Sequence, residues 1–352
     1  MLLSSPMPFV MKHTLERLLD GTALAMSEID ALFEQMFAGA LSDAELAAIL
    51  AGWRIRGETA AELAAGARAM RKQAAPTPIP KSSRPLIDNC GTGGDGAHSF
   101  NISTAAAVVA AAAGAKVAKH GNRSVSSRCG SADLLFELGF PADLSPDAAA
   151  KLLDQTGFTF FFAPTFHPAM RHVAPVRKAL GVRTIFNLLG PLANPIAPER
   201  QVLGVGAKRF VRPMAEALAA LGIEKALVVH SRDGLDELSP AAVTDAILID
   251  RGILKDIAID PATLGVKATL ADLAGGDASV NAGIMRNLLA GKAPGVVEAV
   301  VLNAGAVLWL YGTAGDLKGG IQLARQAIQS GKANTYMQTW LAAAQKLRAG
   351  TP

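Results

Sequence analysis

Between residues 11 and 75, apolar side chains recur at helical spacing. Ile29, Leu32, Phe33, Met36 and Phe37 form one stripe, Leu46, Ile49, Leu50 and Trp53 a second, and Leu63 and Met70 a third. With Leu15, Leu18 and Leu19 ahead of them, these predict four short helices, each with a face to bury. Three of the starts carry a hydroxyl residue with an acid three positions on: Ser27 with Asp30, Ser42 with Glu45, and Thr59 with Glu62. In that pattern each side chain satisfies a backbone N–H the first helical turn leaves open. A small helical layer packed on its own core is the simplest outcome, although such a layer also serves as a surface for a second subunit.

From Ala74 to Pro85 the chain reads AAPTPIPKSSRP, whose prolines cannot continue a helix and predict a boundary or hinge. Beyond it, short apolar runs alternate with helical patterns. Leu86-Ile87 precede a glycine turn, Lys116 to Ala118 follow an alanine-rich helix, Thr159 to Ala163 are dense in Phe, and Lys225 to Val229 precede another turn. Alternation of this kind predicts an α/β unit with a central, mostly parallel sheet flanked by helices. From about residue 279 the chain returns to Ala/Leu helices. The fold class expected is therefore a small all-helical N-terminal domain joined to a larger α/β domain.

Length and composition narrow the function. The 352 residues suffice for two domains at roughly 100–200 residues each. With 50% hydrophobic and 18% charged residues the chain is far from a disordered composition. The longest mostly apolar run is read as Ala105 to Ala113, about half the ~20 residues a membrane span needs, so no membrane association is expected. The opening MLLSSPMPFV lacks the pattern of a secretory signal and reads as a loose extension. Cys90 and Cys129 are too few for a disulfide framework and form no CxxC pair, so a reducing cytoplasm is the expected setting. The net charge of +4 comes without a Lys/Arg run, which favours anionic small molecules over nucleic acid.

Four segments carry chemistry. In DNCGTGGDGAHSFNIST, from Asp88 to Thr104, a strand runs through Gly91, Gly93 and Gly94 into a helix start at Ser103 and Thr104. Glycines admit backbone N–H groups to a phosphate, and a helix start adds a positive dipole end. With Asp95 and Asn101 in the same loop, an anion or metal site is favoured over a structural turn. In KHGNRSVSSRCGSAD, from Lys119 to Asp133, the donors Lys119, His120, Asn122, Arg123, Ser126, Ser127 and Arg128 follow a strand and predict phosphate or carboxylate recognition. In HSRDGLDE a strand ends in a glycine turn that presents Asp236 and Glu237. Magnesium takes one or two carboxylates plus substrate phosphates, so that pair gains meaning if the first loop holds a polyphosphate. Arg171 and Arg177 are placed near one face of a helix starting close to Pro168, where an arginine can fork a substrate carboxylate. His13, His167, His172 and His230 are read as helix-start or core residues, and both cysteines as buried small hydrophobes.

Taken in order from about Met11 to Arg348, GTGGD, NxST, KHGNRxxSSxxGSAD, HPAMxxxxPVRxxLGxRTxFNLLGPLxNP and HSRDGLDE resemble the anthranilate phosphoribosyltransferases. The resemblance implies transfer of a phosphoribosyl group from phosphoribosyl pyrophosphate to the amine of anthranilate, with two magnesium ions per subunit. It implies a homodimer formed through the helical domain, residues 11–75 with about 168–191. A donor-binding α/β domain would comprise residues 86–167 and 192–352, with a hinge at 76–85. By the same resemblance, Gly91, Thr92, Gly93, Gly94, Asp95, Asn101, Ser103, Thr104, Lys119 and Ser131 would bind the donor. Gly91, His120, Gly121, Asn122 and Arg177 would lie at anthranilate, and Ser103, Asp236 and Glu237 would hold metal. No acid–base residue is implied, with Lys119 and Arg177 acting by position and charge. Asn89, Cys90, Ser99, Phe136 and Ser231 depart from the family's usual residues. A pyrimidine-nucleoside phosphorylase or a non-catalytic nucleic-acid binder are the competing readings.

Overall fold

The computed structural model describes residues 11–124 and 128–349, so Ser126, Ser127 and the extension at residues 1–10 lie outside the described residues. Four helices open it: α1 (Met11–Leu19), α2 (Met26–Ala38), α3 (Asp43–Arg56) and α4 (Ala60–Lys72). Ser42 and Thr59 cap α3 and α4, each accepting from the amide of the glutamate three residues on. The start at Ser27 is misplaced: α2 begins at Met26, and the Glu28 carboxylate accepts from the Ala25 amide at 2.7 Å. The box is closed two residues earlier than the Ser27–Asp30 pair, by Glu28 on the Ala25 N–H. Trp53 is fully buried, stacks on Phe33 at 5.2 Å and donates its indole N–H to Glu62 at 2.8 Å. Glu62 also pairs with Arg56, so one buried acid ties the cap of α4 to α3.

The strands are β1 (Ile87–Gly91), β2 (Val117–Gly121), β3 (Phe158–Phe162), β4 (Arg200–Gly204), β5 (Lys225–Ser231), β6 (Thr244–Asp250) and β7 (Ile253–Ile259). They form one sheet in the order β3-β2-β1-β4-β5-β6-β7, parallel from β3 to β5 and antiparallel at β6 and β7. Between the strands run α5 (Ile102–Ala112), α6 (Ser131–Glu137), α7 (Pro146–Thr156), α8 (Ala163–Phe166), α9 (Ala174–Leu180), α10 (Phe186–Leu192) and α11 (Val211–Ala220). After β7 come α12 (Ala278–Leu289), α13 (Pro294–Tyr311), α14 (Leu317–Gln329) and α15 (Lys332–Ala349). Both faces of the sheet are covered. Along β5, Ala226 and Val228 join the core shared with α1–α4, α10 and α11, whereas Leu227 and Val229 join the core shared with α5, α13 and α15. That period-two alternation is what a strand between two layers requires.

The chain runs β1, β2, β3 toward one edge and then places β4 on the other side of β1. The strand order therefore reverses between β1 and β4, where open α/β sheets bind ligands beyond the carboxyl ends of their strands. Gly91 and Gly204 face each other at those two ends.

Two sequence expectations need correction. Arg171 and Arg177 do not share a helix: Pro168–His172 is a 3-10 turn and α9 starts only at Ala174. Pro175 lacks an N–H and its ring clashes with a carbonyl four residues back, so a continuous helix cannot pass through it. The second concerns apolar length, since α13, at 18 residues, is long and apolar enough to cross a membrane by length and composition. Glu298 and Asn303 break its run in the sequence, which hid it behind Ala105–Ala113. In the fold it is a mostly buried core helix packed on α5 and α14. Gly305 and Gly320 let α13 and α14 touch backbone to backbone, because a Cβ on Gly320 would lie 2.2 Å from the Gly305 carbonyl oxygen.

Candidate active site

The carboxyl ends of β1, β4 and β5 converge on Asp236. A Cβ on Gly204 would sit 1.6 Å from the Asp236 carbonyl oxygen, and one on Gly91 would sit 2.4 Å from its Oδ2. Only glycine at both strand ends lets the acidic turn cross them. That turn is closed by the Ser231 amide on the Leu235 carbonyl at 3.0 Å and the Gly234 amide on the Ser231 carbonyl at 2.9 Å. These are backbone bonds, so the unusual Ser231 leaves the turn intact. Beyond it, Asn303 of α13 binds the Leu238 backbone on both sides, accepting from its amide and donating to its carbonyl, which anchors the acids to the core.

The acids reach back to the glycine loop. Asp236 Oδ2 accepts from the Gly93 amide at 2.7 Å, and Glu237 Oε1 accepts from the Ser103 amide in the first turn of α5 at 3.0 Å. Asp95 Oδ2 lies 3.4 Å from the Asp236 amide, so a third carboxylate borders the pair. Burial and then the neighbouring Asp95 raise the Asp236 carboxyl, and burial and then Asp236 raise Glu237. Carboxylates that resist ionisation because they crowd one another gain most from an added cation. Among the described residues no trio of His, Cys, Asp or Glu is spaced to hold a metal by itself. Two adjacent carboxylates, one of them tied to the Ser103 amide, suit magnesium, which completes its shell with water and phosphate oxygens.

Lys119 is the cation beneath this cluster. Only 2% exposed, it lies within β2 rather than after it, because the strand runs on to Gly121. Its ammonium donates to the Asn89 carbonyl and to Ser103 Oγ at 3.3 Å. Asn89, one of the departures, donates to the Ser103 carbonyl at 2.6 Å and so braces the start of α5. Cys90 departs from the reading as a buried hydrophobe: half-buried, it accepts from Gln201 at 3.2 Å and lies 3.6 Å from Asp88. Burial raises its thiol further from reactivity. Thr92 Oγ1 accepts from the Gly206 amide at 2.9 Å, holding the loop to the bend after β4.

Asn101 caps no backbone group of α5. It donates to the Cys129 carbonyl at 3.1 Å and accepts from Asn281 at 2.8 Å, joining the glycine loop to the second loop. Thr104 is buried, and its hydroxyl has no partner among the described residues. In the second loop, Ser131 Oγ donates to the Asn122 carbonyl at 3.3 Å, and a Cβ on Gly121 would strike Ser131 Oγ at 2.3 Å. Asp133 ties the amides of Ser124 and Gly130 at 3.0 and 2.9 Å. Phe136 packs edge-on against Phe162 and beneath Arg123.

Around His120 the chemistry changes. The ring is buried, with Nδ1 3.2 Å from the Gly190 carbonyl of α10, and meets His167 edge-on at 5.0 Å. Burial first, then His167, holds the His120 imidazole down to about 3, and burial holds His167 down to about 4. Both are neutral at pH 7, so they form a wall rather than a charge. His167, read as a core residue, is buried and also borders the site. Arg177 lies on α9, its guanidinium 5.4 Å from the Phe186 ring, and burial lowers its pKa. Among the described residues it forms no ion pair, and no contact joins it to His120 or Asn122. Arg183 escaped the sequence reading, yet its guanidinium reaches the Gly93 carbonyl at 3.5 Å across 90 residues. Its only signal was its place in the same motif as Arg177.

Comparison with known proteins fits this layout. Residues 12–74 match the helical bundle domain of the glycosyl transferase family, and residues 83–334 match its α/β domain. Anthranilate phosphoribosyltransferase 2 of Streptomyces coelicolor is 49% identical over 86% of this chain and 90% of its own length. The Desulfosudis oleivorans anthranilate phosphoribosyltransferase is 48% identical over 93% and 96%. Among solved structures, the Thermus thermophilus enzyme superposes with a TM-score of 0.87 at 43% identity, covering 94% of this chain and 99% of that one. The Saccharomyces cerevisiae enzyme in complex with PRPP and Mg superposes with a TM-score of 0.87 at 26% identity, covering 96% and 98%. With glycines at the strand ends, acids locked to the glycine loop and relatives matched nearly end to end, the chain belongs to the anthranilate phosphoribosyltransferases, enzymes of the glycosyl transferase family.

Proposed function

We propose that this enzyme transfers the phosphoribosyl group of phosphoribosyl pyrophosphate to the amine of anthranilate in a magnesium-dependent reaction. The observation that carries the reading is the lock between the glycine loop and the acidic turn at the strand-order reversal. Gly91 to Asp95, with Asn101, Ser103, Thr104, Lys119 and Ser131, form the donor side. Asp236, Glu237 and Ser103 are the residues suited to hold two magnesium ions. Bound there, magnesium supplies charge neutralisation for the pyrophosphate.

The chain's own residues do the rest by position. Breaking the bond from the anomeric carbon to pyrophosphate leaves the electron pair on oxygen and positive charge on the ribose. Lys119 and the loop amides stabilise the oxygen side, the largest effect expected in such a transfer. The amine of anthranilate is a neutral nucleophile at pH 7 and forms the new carbon–nitrogen bond. It then sheds a proton, for which pyrophosphate is a sufficient base. Arg177 is assigned to the anthranilate carboxylate, with Gly91, Gly121, Asn122 and the neutral His120 ring bordering it. Holding two substrates in line contributes up to ~7–11 kcal/mol.

We place the acceptor and dimer side on residues 11–75 with 168–191, the donor side on 86–167 and 192–352, and the hinge at 76–85. Leu19, Met26 and Ile55, at 59%, 44% and 84% exposure, are apolar residues of the helical layer that a second copy would cover. The test follows anthranilate fluorescence with phosphoribosyl pyrophosphate and magnesium, with and without EDTA. Metal-dependent loss of signal with matching pyrophosphate release is the expected result. Folded protein that consumes no anthranilate would remove the assignment of the acceptor.

A further inference from the structure

We propose that Arg183 is a ligand of the donor's pyrophosphate, a role outside the residues assigned above; the proposal rests on the phosphoribosyl-transfer reading. Three observations carry it.

The first is a cation buried without an acid. Arg17, Arg56, Arg84, Arg200 and Arg325 are half-buried, and each holds a glutamate within 4 Å. Arg183 is half-buried and, like Arg71 and Arg177, forms no ion pair among the described residues, but of these three it alone has a guanidinium hydrogen bond to the glycine loop. Its one hydrogen bond, to the Gly93 carbonyl at 3.5 Å, lies at the limit of such contacts. A guanidinium cannot shed its proton, so partial desolvation without an anion is a standing cost that an incoming anion removes.

The second is its placement. A Cβ on Gly94 would lie 2.9 Å from Arg183 Nη1, and Gly94 takes the left-handed backbone with φ +73°. The loop thus keeps glycine where the guanidinium closes on it. Arg54 of α3 donates to the Arg183 carbonyl at 2.9 Å and fixes its backbone.

The third is the state of the loop beside it. The Gly93 amide is taken by Asp236, but the amides of Gly94, Asp95 and Gly96 donate to no acceptor among the described residues. Consecutive free N–H groups in a glycine turn make an anion-binding concavity. Lys119 is buried below with its ammonium committed to Asn89 and Ser103, which leaves Arg183 as the cation on the solvent side of that concavity. A planar fork of N–H donors matches phosphate oxygens two at a time. As the bond from the anomeric carbon to oxygen breaks, negative charge grows on the departing pyrophosphate, and Arg183 binds it more tightly.

The experiment measures magnesium pyrophosphate binding by calorimetry, and its inhibition against phosphoribosyl pyrophosphate, for wild type, Arg183→Ala and Arg183→Lys. Arg183→Ala is expected to weaken pyrophosphate by ~10–100-fold, the range of a lost charged hydrogen bond, and to raise the donor KM similarly with the anthranilate KM unchanged. Arg183→Lys should recover part of the loss, and the alanine variant should show a weaker dependence of affinity on salt. Equal pyrophosphate affinity in Arg183→Ala and wild type overturns the proposal alone. So does a change confined to the anthranilate KM, or a loss that lysine does not repair and salt does not modulate. Wild-type protein that binds no magnesium pyrophosphate overturns the donor reading and the proposal with it.

Discussion

The two sides proposed to take donor and acceptor handle charge in opposite ways. Around the glycine loop, Asp95, Asp236 and Glu237 crowd together, and hydrogen bonds lock them to Gly93 and Ser103. Around β2 and α10, by contrast, the imidazoles of His120 and His167 are kept neutral, and Arg177 rests on an aromatic ring. A site that must hold a polyphosphate with metal assembles anions awaiting cations. A site that must hold a flat aromatic acid removes charge from its walls and keeps one cation for the carboxylate. The two sides differ in rigidity as well. The donor side is cross-linked by side chains from four strands and helices, whereas the Arg177 guanidinium makes no hydrogen bond among the described residues.

Three substitutions test that contrast, in descending order of effect. Glu237→Gln keeps the shape of the donor side and removes one carboxylate charge. It should lower kcat/KM by about 10²–10³-fold, comparable to losing a preorganised electrostatic contact, and should raise the magnesium needed for half-maximal rate. Unchanged magnesium dependence would break the assignment of the acids to metal. Arg177→Ala should raise the anthranilate KM by ~10–100-fold and leave the donor KM alone. A matched rise in both would mean that the two sides are not separable.

The smallest effect is on acid stability. His120 titrates near 3 when folded and near 6.5 when unfolded, so both states are neutral above pH 6.5. As pH falls below 6.5 the unfolded chain takes up a proton that the folded site refuses, and stability is lost down to about pH 3. By pH 5.5 the loss is roughly 1 kcal/mol, an order-of-magnitude figure. His167, Arg71, Lys119 and Asp88 surround the ring and shift the midpoint, with the positive groups and His167 opposing protonation. Comparing urea midpoints at pH 7 and pH 5.5, His120→Phe should lose less stability than wild type. Equal losses would place the neutral wall elsewhere.

What could be read in advance was what depends on neighbours in sequence. Ser42 and Thr59 cap their helices as the spacing implied, and the glycine loop and acidic turn announced themselves by composition. Ser27 failed because Glu28 closes a box on the Ala25 amide, which starts the helix two residues earlier. Strands β4, β6 and β7 escaped because RQVLG, TDAILID and ILKDIAI mix charge with apolar residues, and edge strand β7 is largely exposed. The His120–His167 contact and the reach of Arg183 to Gly93 are defined only by folding, across 47 and 90 residues. No local pattern encodes such distances.

Helix α13 has a consequence for how the chain is made. It is the most membrane-like segment of those described, yet α14, which lies against it through Gly305 and Gly320, follows it in the chain. A ribosome therefore releases 18 apolar-rich residues with α5 already made but the α14 half of their cover still missing, and the nascent chain passes through a stage at which it resembles a client of chaperones or of the insertion machinery. A chain ended between residues 312 and 316 would keep its α5 contacts but leave the α14 side of that surface bare.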